Sequence, residues 1–314
     1  MRVIDWLMEG DPAIRWQVMQ DLLEADRAEV AAERARVALE GWGAQLLAAR
    51  DPGGLWAGGT FFPATEPTSP KQPWTATHPV LVELRLLGLD PESHEARAAI
   101  ADARRLARWE HDGQPFLEGE VEPCINAALV SNAVHFGERV DGVVERLLGE
   151  QMADGGWNCE QEQGSTRGSF DTTIAVVEAL LAQERRLERE GGDDRRLRLA
   201  RERGEAYLLE RGLLRRRSTG EVIDEDYLRL AAPPRWHYDV LRALEHLRDA
   251  GYEPDDRMRE ALDVVRGKRR DDGTWPLDVR WGGDAWVEYG TVGEPNRWIT
   301  MRALRVLRWA GDQA

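Results

Sequence analysis

Residues with chemical potential fall at or beside the starts of apolar helical segments. They are Thr77 and His78, Glu122 and Cys124, Asp171 to Thr173, His237 and Asp239, and Arg297, with Cys159 in a loop just ahead of Asp171. Helix N-termini favour anions, so carboxylates and thiolates at such positions suit metal binding or proton transfer. Cys124 and Cys159 are the only cysteines. Two are too few for a disulfide scaffold and fit a reducing cytosol. Glu118, Glu120 and Glu122 resemble the paired carboxylates of sugar-processing sites, but alternating acids ahead of a helix also read as an N-terminal acidic bias.

The elements that position these groups are helical. Apolar residues recur at helical spacing, as at Ile174, Val177 and Leu181 or Ile299, Ala303 and Val306. Alternating Val/Ile runs are scarce. Six apolar segments alternate with five more polar ones, such as Arg27 to Leu47 and Asp194 to Leu209, which read as half-solvated outer helices. Pro12, Pro79, Pro123, Pro234 and Pro295 stand near the first helical position, and Asp171-Thr172-Thr173 supplies a cap for the remaining start. Arg15-Trp16, Arg235-Trp236 and Arg297-Trp298 occupy equivalent places, and their arginines are expected to pair with carboxylates between repeats.

Turn clusters ending in an aromatic punctuate the helices: Asp51 to Trp56, Asp154-Gly155-Gly156-Trp157 and Asp272-Gly273-Thr274-Trp275. Asp-Gly and Gly-Gly pairs supply the positive φ angles of tight turns. The chain holds 13 Trp against 5 Phe and 5 Tyr, and the expected role of Trp56, Trp157 and Trp275 is stacking between a turn and a helix end. The apolar first and last segments favour closure of about six hairpins into a ring. The expectation is therefore an all-α protein, a single (α/α)6 toroid spanning residues 1–314.

Gln151-Met152-Ala153-Asp154-Gly155-Gly156-Trp157 resembles the Gln–Trp motif of squalene cyclases, which share the (α/α)6 toroid with protein prenyltransferase β subunits. The stretch from Arg269 to Trp275 is a partial copy with arginine in place of glutamine, and the copy ending at Trp56 is one residue longer. The resemblance implies inner-helix N-termini gathered at one mouth of a largely apolar cavity. The Asp-x-Asp-Asp acid of the cyclases has only Asp224-Glu225-Asp226 as its nearest match. Prenyltransferases hold zinc with an Asp-x-Cys at one inner-helix start and a His at the next. Asp171 and His237 match that pattern, whereas Thr173 replaces the cysteine. The missing thiolate is expected from Cys159, Cys124 or both, giving a zinc set of Cys124, Cys159, Asp171 and His237.

The resemblance thus implies a zinc-dependent enzyme of the terpenoid cyclase and prenyltransferase class, acting on an apolar, isoprenoid-like substrate. No Arg/Lys cluster for a diphosphate is evident. Two alternatives stand beside it: a non-catalytic toroid binding a lipid or protein partner, and a zinc enzyme like the lanthionine cyclases, whose Cys-His-Gly motif is absent. Lys and Arg number 42 against 57 Asp and Glu, a net charge of −15 that argues against nucleic acid. Asp5 and Glu9 do not suit a secretory signal, and no apolar run reaches transmembrane length. A cytoplasmic protein without an obligatory protein partner is expected. The long connectors Pro52 to Trp74 and Pro276 to Pro295 are candidates to cover the mouth.

Overall fold

The computed structural model describes residues 3–312. The chain forms α1 (Val3–Met8), α2 (Pro12–Asp21), α3 (Arg27–Ala35), α4 (Gly41–Ala48), α5 (Thr77–Leu87), α6 (His94–Leu106) and α7 (Pro123–His135). It continues with α8 (Asp141–Gly149), α9 (Phe170–Arg189), α10 (Arg195–Leu209), α11 (Val240–Asp249), α12 (Arg259–Gly267) and α13 (Arg297–Trp309). Only isolated β-bridges occur among the described residues, so the protein is all-helical. None of these helices is long and apolar enough to cross a membrane.

The six apolar segments foreseen from spacing are α2, α5, α7, α9, α11 and α13. All six contribute to the wall of one cavity of about 1120 Å³. α5 packs on α7, α7 on α9, and α11 on α13. α9 and α11 are joined by Arg242 and Glu178, and α2 reaches α5 where Trp16 Nε1 donates to Leu87 O at 2.9 Å. The last helix meets the first: α13 packs on α2, Arg305 donates to Gln17 Oε1 at 2.9 Å, and Arg297 Nε donates to Trp6 O at 2.9 Å. A continuous apolar core runs from Leu7 to Leu307.

The tryptophan turns explain how one hairpin is tied to the next. In each of three copies the indole Nε1 donates at 2.7 Å to a carbonyl in the last turn of the preceding helix. Trp56 reaches Leu46 O in α4, Trp157 reaches Leu147 O in α8, and Trp275 reaches Val265 O in α12. Carbonyls of a final helical turn lack intrahelical partners, so the indole acts as a C-terminal cap. The backbone N–H of the same tryptophan donates forward to a threonine hydroxyl near the next inner-helix start. These partners are Thr77 at 3.2 Å, Thr173 at 3.0 Å and Thr300 at 2.9 Å. One residue thereby fixes both ends of the connection, and all three indoles are fully buried.

Several local expectations are corrected. The polar stretch from Arg27 to Leu47 breaks into α3, a 3-10 turn at Arg36–Ala38 and α4. Gly41 causes the break: its φ is 69°, and a Cβ there would lie 2.0 Å from Asp11 Oδ2. Pro234 does not begin a helix. Asp239 caps α11, accepting from Arg242 N at 2.7 Å, and Arg235 has a φ of 58°, which helical continuation does not allow. Asp171 is not the cap of α9; Ser169 is, accepting from Thr172 N at 3.1 Å.

The arginines of the three Arg-Trp pairs contact carboxylates from other elements. Arg15 pairs with Glu33 at 2.6 Å, Arg235 with Glu83, and Arg297 with Glu9 at 3.7 Å. The two long connectors lie against one another. Trp74 donates from its backbone to Asp284 O at 2.8 Å and from its indole to Gly282 O at 3.0 Å, and Trp286 Nε1 donates to Thr75 O at 2.9 Å. Together with Trp236, whose indole donates to Gln72 Oε1 at 3.0 Å, they place Phe61, Phe62 and Trp74 on the cavity wall.

Candidate metal centre

Cys124 occupies the first turn of α7, one residue after Pro123 at the first helical position. Glu122, the N-cap residue, makes no side-chain capping bond, so its carboxylate is left for other partners. Cys159 follows Trp157 by two residues in the loop to α9. That loop is pinned at its base by the pairing of Trp157 with Ser169 and by Gln151, whose amide donates to Gly155 O and Ala200 O, both at 2.8 Å. The turn that caps α8 thus also delivers a sulfur to the start of α7.

The Cys124 and Cys159 sulfurs are 2.9 Å apart, and Cys124 Sγ lies 3.6 Å from Glu122 Oε2. Ligand atoms of Glu122, Cys124 and Cys159 all fall within 4.8 Å of one another. Thr172 Oγ1 donates to Cys159 Sγ at 3.4 Å, and all four residues face the cavity. The two sulfurs shift in opposite directions. The Cys159 sulfur, and then burial, push the Cys124 thiol well above its ordinary value. The same contact with Cys124 lowers Cys159, against the opposing effect of burial, so Cys159 ionises first. Two thiols and a carboxylate, drawn from the start of α7 and the loop to α9, are a donor set that fits a thiophilic divalent cation such as zinc.

Asp171 and His237 do not join this group. The Asp171 carboxylate accepts from Tyr238 N at 2.7 Å and from Tyr227 Oη at 3.1 Å. Burial raises its pKa while those two donors pull it back. Its work in the fold is to tie α9 to the loop before α11. His237 is stacked between the rings of Trp236 and Trp281, with centroids 3.6 Å away on both sides. Burial lowers its pKa to about 4, so the ring is neutral near pH 7. Glu122 is the member of this cluster that the reading of the sequence did not place in the metal set. Its signal was available in the run Glu122-Pro123-Cys124, where proline frees the preceding acid from a helical position.

The cavity below is less apolar than the resemblance implied. Ile125, Ala128, Val82 and Ala175 line it alongside Glu83, Arg85, Glu178, Arg242, Glu245 and Arg302. Arg242 holds both oxygens of Glu178, at 2.8 and 2.7 Å, and Arg302 holds Glu245 at 2.6 Å. His78 also faces the cavity; it is buried, with Nδ1 lacking a partner among the described residues, and burial lowers its pKa to about 3.

No family model matches the chain, and no curated protein matches it. Among solved structures, one described as a protein from Actinoplanes aligns over 96% of this chain and 90% of its own. The two are 19% identical, with a TM-score of 0.45.

Proposed function

We propose that this protein is a zinc-dependent enzyme whose metal is held by Glu122, Cys124 and Cys159 at the mouth of the central cavity. The observation that carries the reading is the convergence of the only two cysteines with an uncapped carboxylate beside a large internal space. Three protein ligands leave a fourth position open, as in catalytic rather than structural zinc sites. Bound there, zinc supplies Lewis acidity to a substrate oxygen or activates a coordinated nucleophile. Thr172 orients Cys159 through its hydroxyl. Phe61, Phe62, Trp74 and Trp236 exclude water around the reacting end, and Ile125 and Ala128 receive its apolar part. The arrangement of six cavity-lining helices whose last member meets the first supports an (α/α)6 toroid. That architecture supports kinship with the cyclase and prenyltransferase class, acting on a substrate with an apolar portion.

Zinc titration of chelator-treated protein tests this reading. Close to one equivalent should bind, and zinc at a hundred times its dissociation constant should stabilise the fold by about 2.7 kcal/mol. Cys124→Ser and Cys159→Ser should each lose most of the zinc, while His237→Ala and Asp171→Asn should keep it. Occupancy should fall on acidification, because both thiols must lose their protons to bind. Wild-type protein whose thermal midpoint ignores zinc would remove the metal centre and the enzyme reading with it.

A further inference from the structure

Of the seven arginines that line the cavity, four are paired with carboxylates, Arg185 and Arg189 are solvent-exposed, and Arg85 is the half-buried one left without such a pair. Arg235 pairs with Glu83, Arg242 with Glu178, Arg302 with Glu245, and Arg305 with Asp21 and Glu245. Arg85 has no carboxylate in ion-pair contact among the described residues. Its Nε donates to Asn132 Oδ1 at 3.0 Å, and neither Nη1 nor Nη2 has a hydrogen-bond partner among them. Glu178 is close enough to be felt electrostatically, but both its oxygens are already held by Arg242. The remaining Asn132 amide nitrogen is buried without a partner among the described residues, and the bond to Arg85 fixes which way that amide points. Ser131, also on the cavity wall, adds a hydroxyl next to it in sequence. Burial holds the guanidinium pKa down at about 10, so the cation is retained at neutral pH although its charge is poorly compensated.

We propose that Arg85 is the docking point for a carboxylate on the substrate, whose chain then runs up the cavity to the Glu122, Cys124 and Cys159 cluster. The two free ends of a guanidinium form a planar fork that matches the two oxygens of a carboxylate. Charge balance at this depth selects a monoanion, since Arg85 is the one half-buried uncompensated cation there and a second negative charge would lie beside Glu178 without a partner. Depth sets the length. Asn132 lies eight residues beyond Cys124 on α7, about 12 Å along the helix axis. The wall between them presents Ile125 and Ala128 from α7 and Val82 from α5, which are apolar. The substrate class is an amphipathic carboxylic acid with an apolar spacer of roughly that span. This assignment rests on the proposed metal centre only for what happens at the far end; the anion subsite stands on Arg85 alone.

Calorimetric titration of zinc-free protein with decanoate, decanol and decyl phosphate tests it. Decanoate should bind the wild type at least about tenfold more tightly than decanol, the scale of one charge-assisted hydrogen-bonded contact. Arg85→Gln should remove that preference and leave the weaker decanol binding unchanged, whereas Arg85→Lys should retain part of it. Equal binding of decanoate and decanol, or an Arg85→Gln variant with unaltered decanoate affinity, would overturn the proposal. Tighter binding of decyl phosphate than decanoate would overturn the choice of a monoanion. If Arg85→Gln does not fold, as judged by circular dichroism, the wild-type ratio and Arg85→Lys still decide. Zinc binding by Arg85→Gln and decanoate binding by Cys124→Ser separate failure of this subsite from failure of the metal centre.

Discussion

Trp157→Ala should lower the stability of the protein by about 3–5 kcal/mol, the loss expected when a fully buried large aromatic is truncated. Three physical effects act together. The indole fills the space above Gly204, so closely that a Cβ on that glycine would lie 2.7 Å from Trp157 Cζ3. Its removal leaves a void lined by Val177 and the backbone of α10, two rigid elements that cannot collapse into it. The indole N–H also caps α8 at Leu147 O, so truncation leaves a carbonyl of the final turn without its partner. Urea denaturation monitored by circular dichroism reads the change as a lower midpoint. Trp157→Phe retains most of the apolar volume but loses the cap, so it should fall between wild type and alanine. An unchanged midpoint for Trp157→Ala would mean that the turn does not tie α8 to α9.

Glu205→Ala is the second large effect, again about 3–5 kcal/mol, because it strips one partner from a buried charged group. The Glu205 carboxylate is fully buried in α10. Arg201 Nη1 donates to both its oxygens at 2.7 Å, His246 Nε2 lies 2.8 Å from Oε1, and Tyr252 Oη donates to Oε2 at 3.0 Å. Removing the carboxylate leaves Arg201 with Glu184 alone, at 2.7 Å, and leaves His246 and Tyr252 facing an empty space. Burial by itself would raise the pKa of Glu205; the contacts with His246 and then Arg201 outweigh it and hold the group below its ordinary 4.5. A depressed folded pKa means that the contribution is complete above the unfolded value and declines as pH falls through the folded one. The stability gap between wild type and Glu205→Gln should therefore be widest near neutrality and narrow below pH 4.5. A gap that is constant between pH 7 and pH 3 would contradict the linkage.

These two sites differ in how readily sequence reveals them. The tryptophan turns are written locally: Asp-Gly or Gly-Gly supplies the backbone conformation, and an indole at the end of the cluster must find shelter. What sequence does not contain is the long-range half of the motif, the threonine hydroxyls at Thr77, Thr173 and Thr300, because their separation from the tryptophan varies with loop length. Glu205 lies at the opposite extreme. Arg201 and Glu205 sit in a helix so rich in charge that half-solvation is the natural expectation, yet both are buried. Burial of that pair follows from α9 and α11 closing over α10, which no local pattern encodes.

The proposed metal centre was half legible. Both cysteines and their nearness to helix starts could be read directly, whereas their partner depended on which loop reached which helix. The loop after Trp157 carries Cys159 to α7, beside Glu122, rather than toward the loop before α11. Asp171 and His237 are instead engaged by groups that the matching motif could not anticipate: the Tyr238 N–H, the Tyr227 hydroxyl and two flanking indoles. Pro234 misled for a related reason, since the stack of Trp236, His237 and Trp281 holds the chain in a loop until Asp239 caps α11.

The most direct measurement is X-ray absorption at the zinc edge on the zinc-loaded protein. Coordination by Cys124, Cys159 and Glu122 predicts two sulfur scatterers near 2.3 Å and the remaining ligands as oxygen near 2.0–2.2 Å, with an open position taken by water. It also predicts a spectrum unaltered by His237→Ala. A first shell containing imidazole nitrogen that disappears in His237→Ala, or a shell without sulfur, would contradict the account.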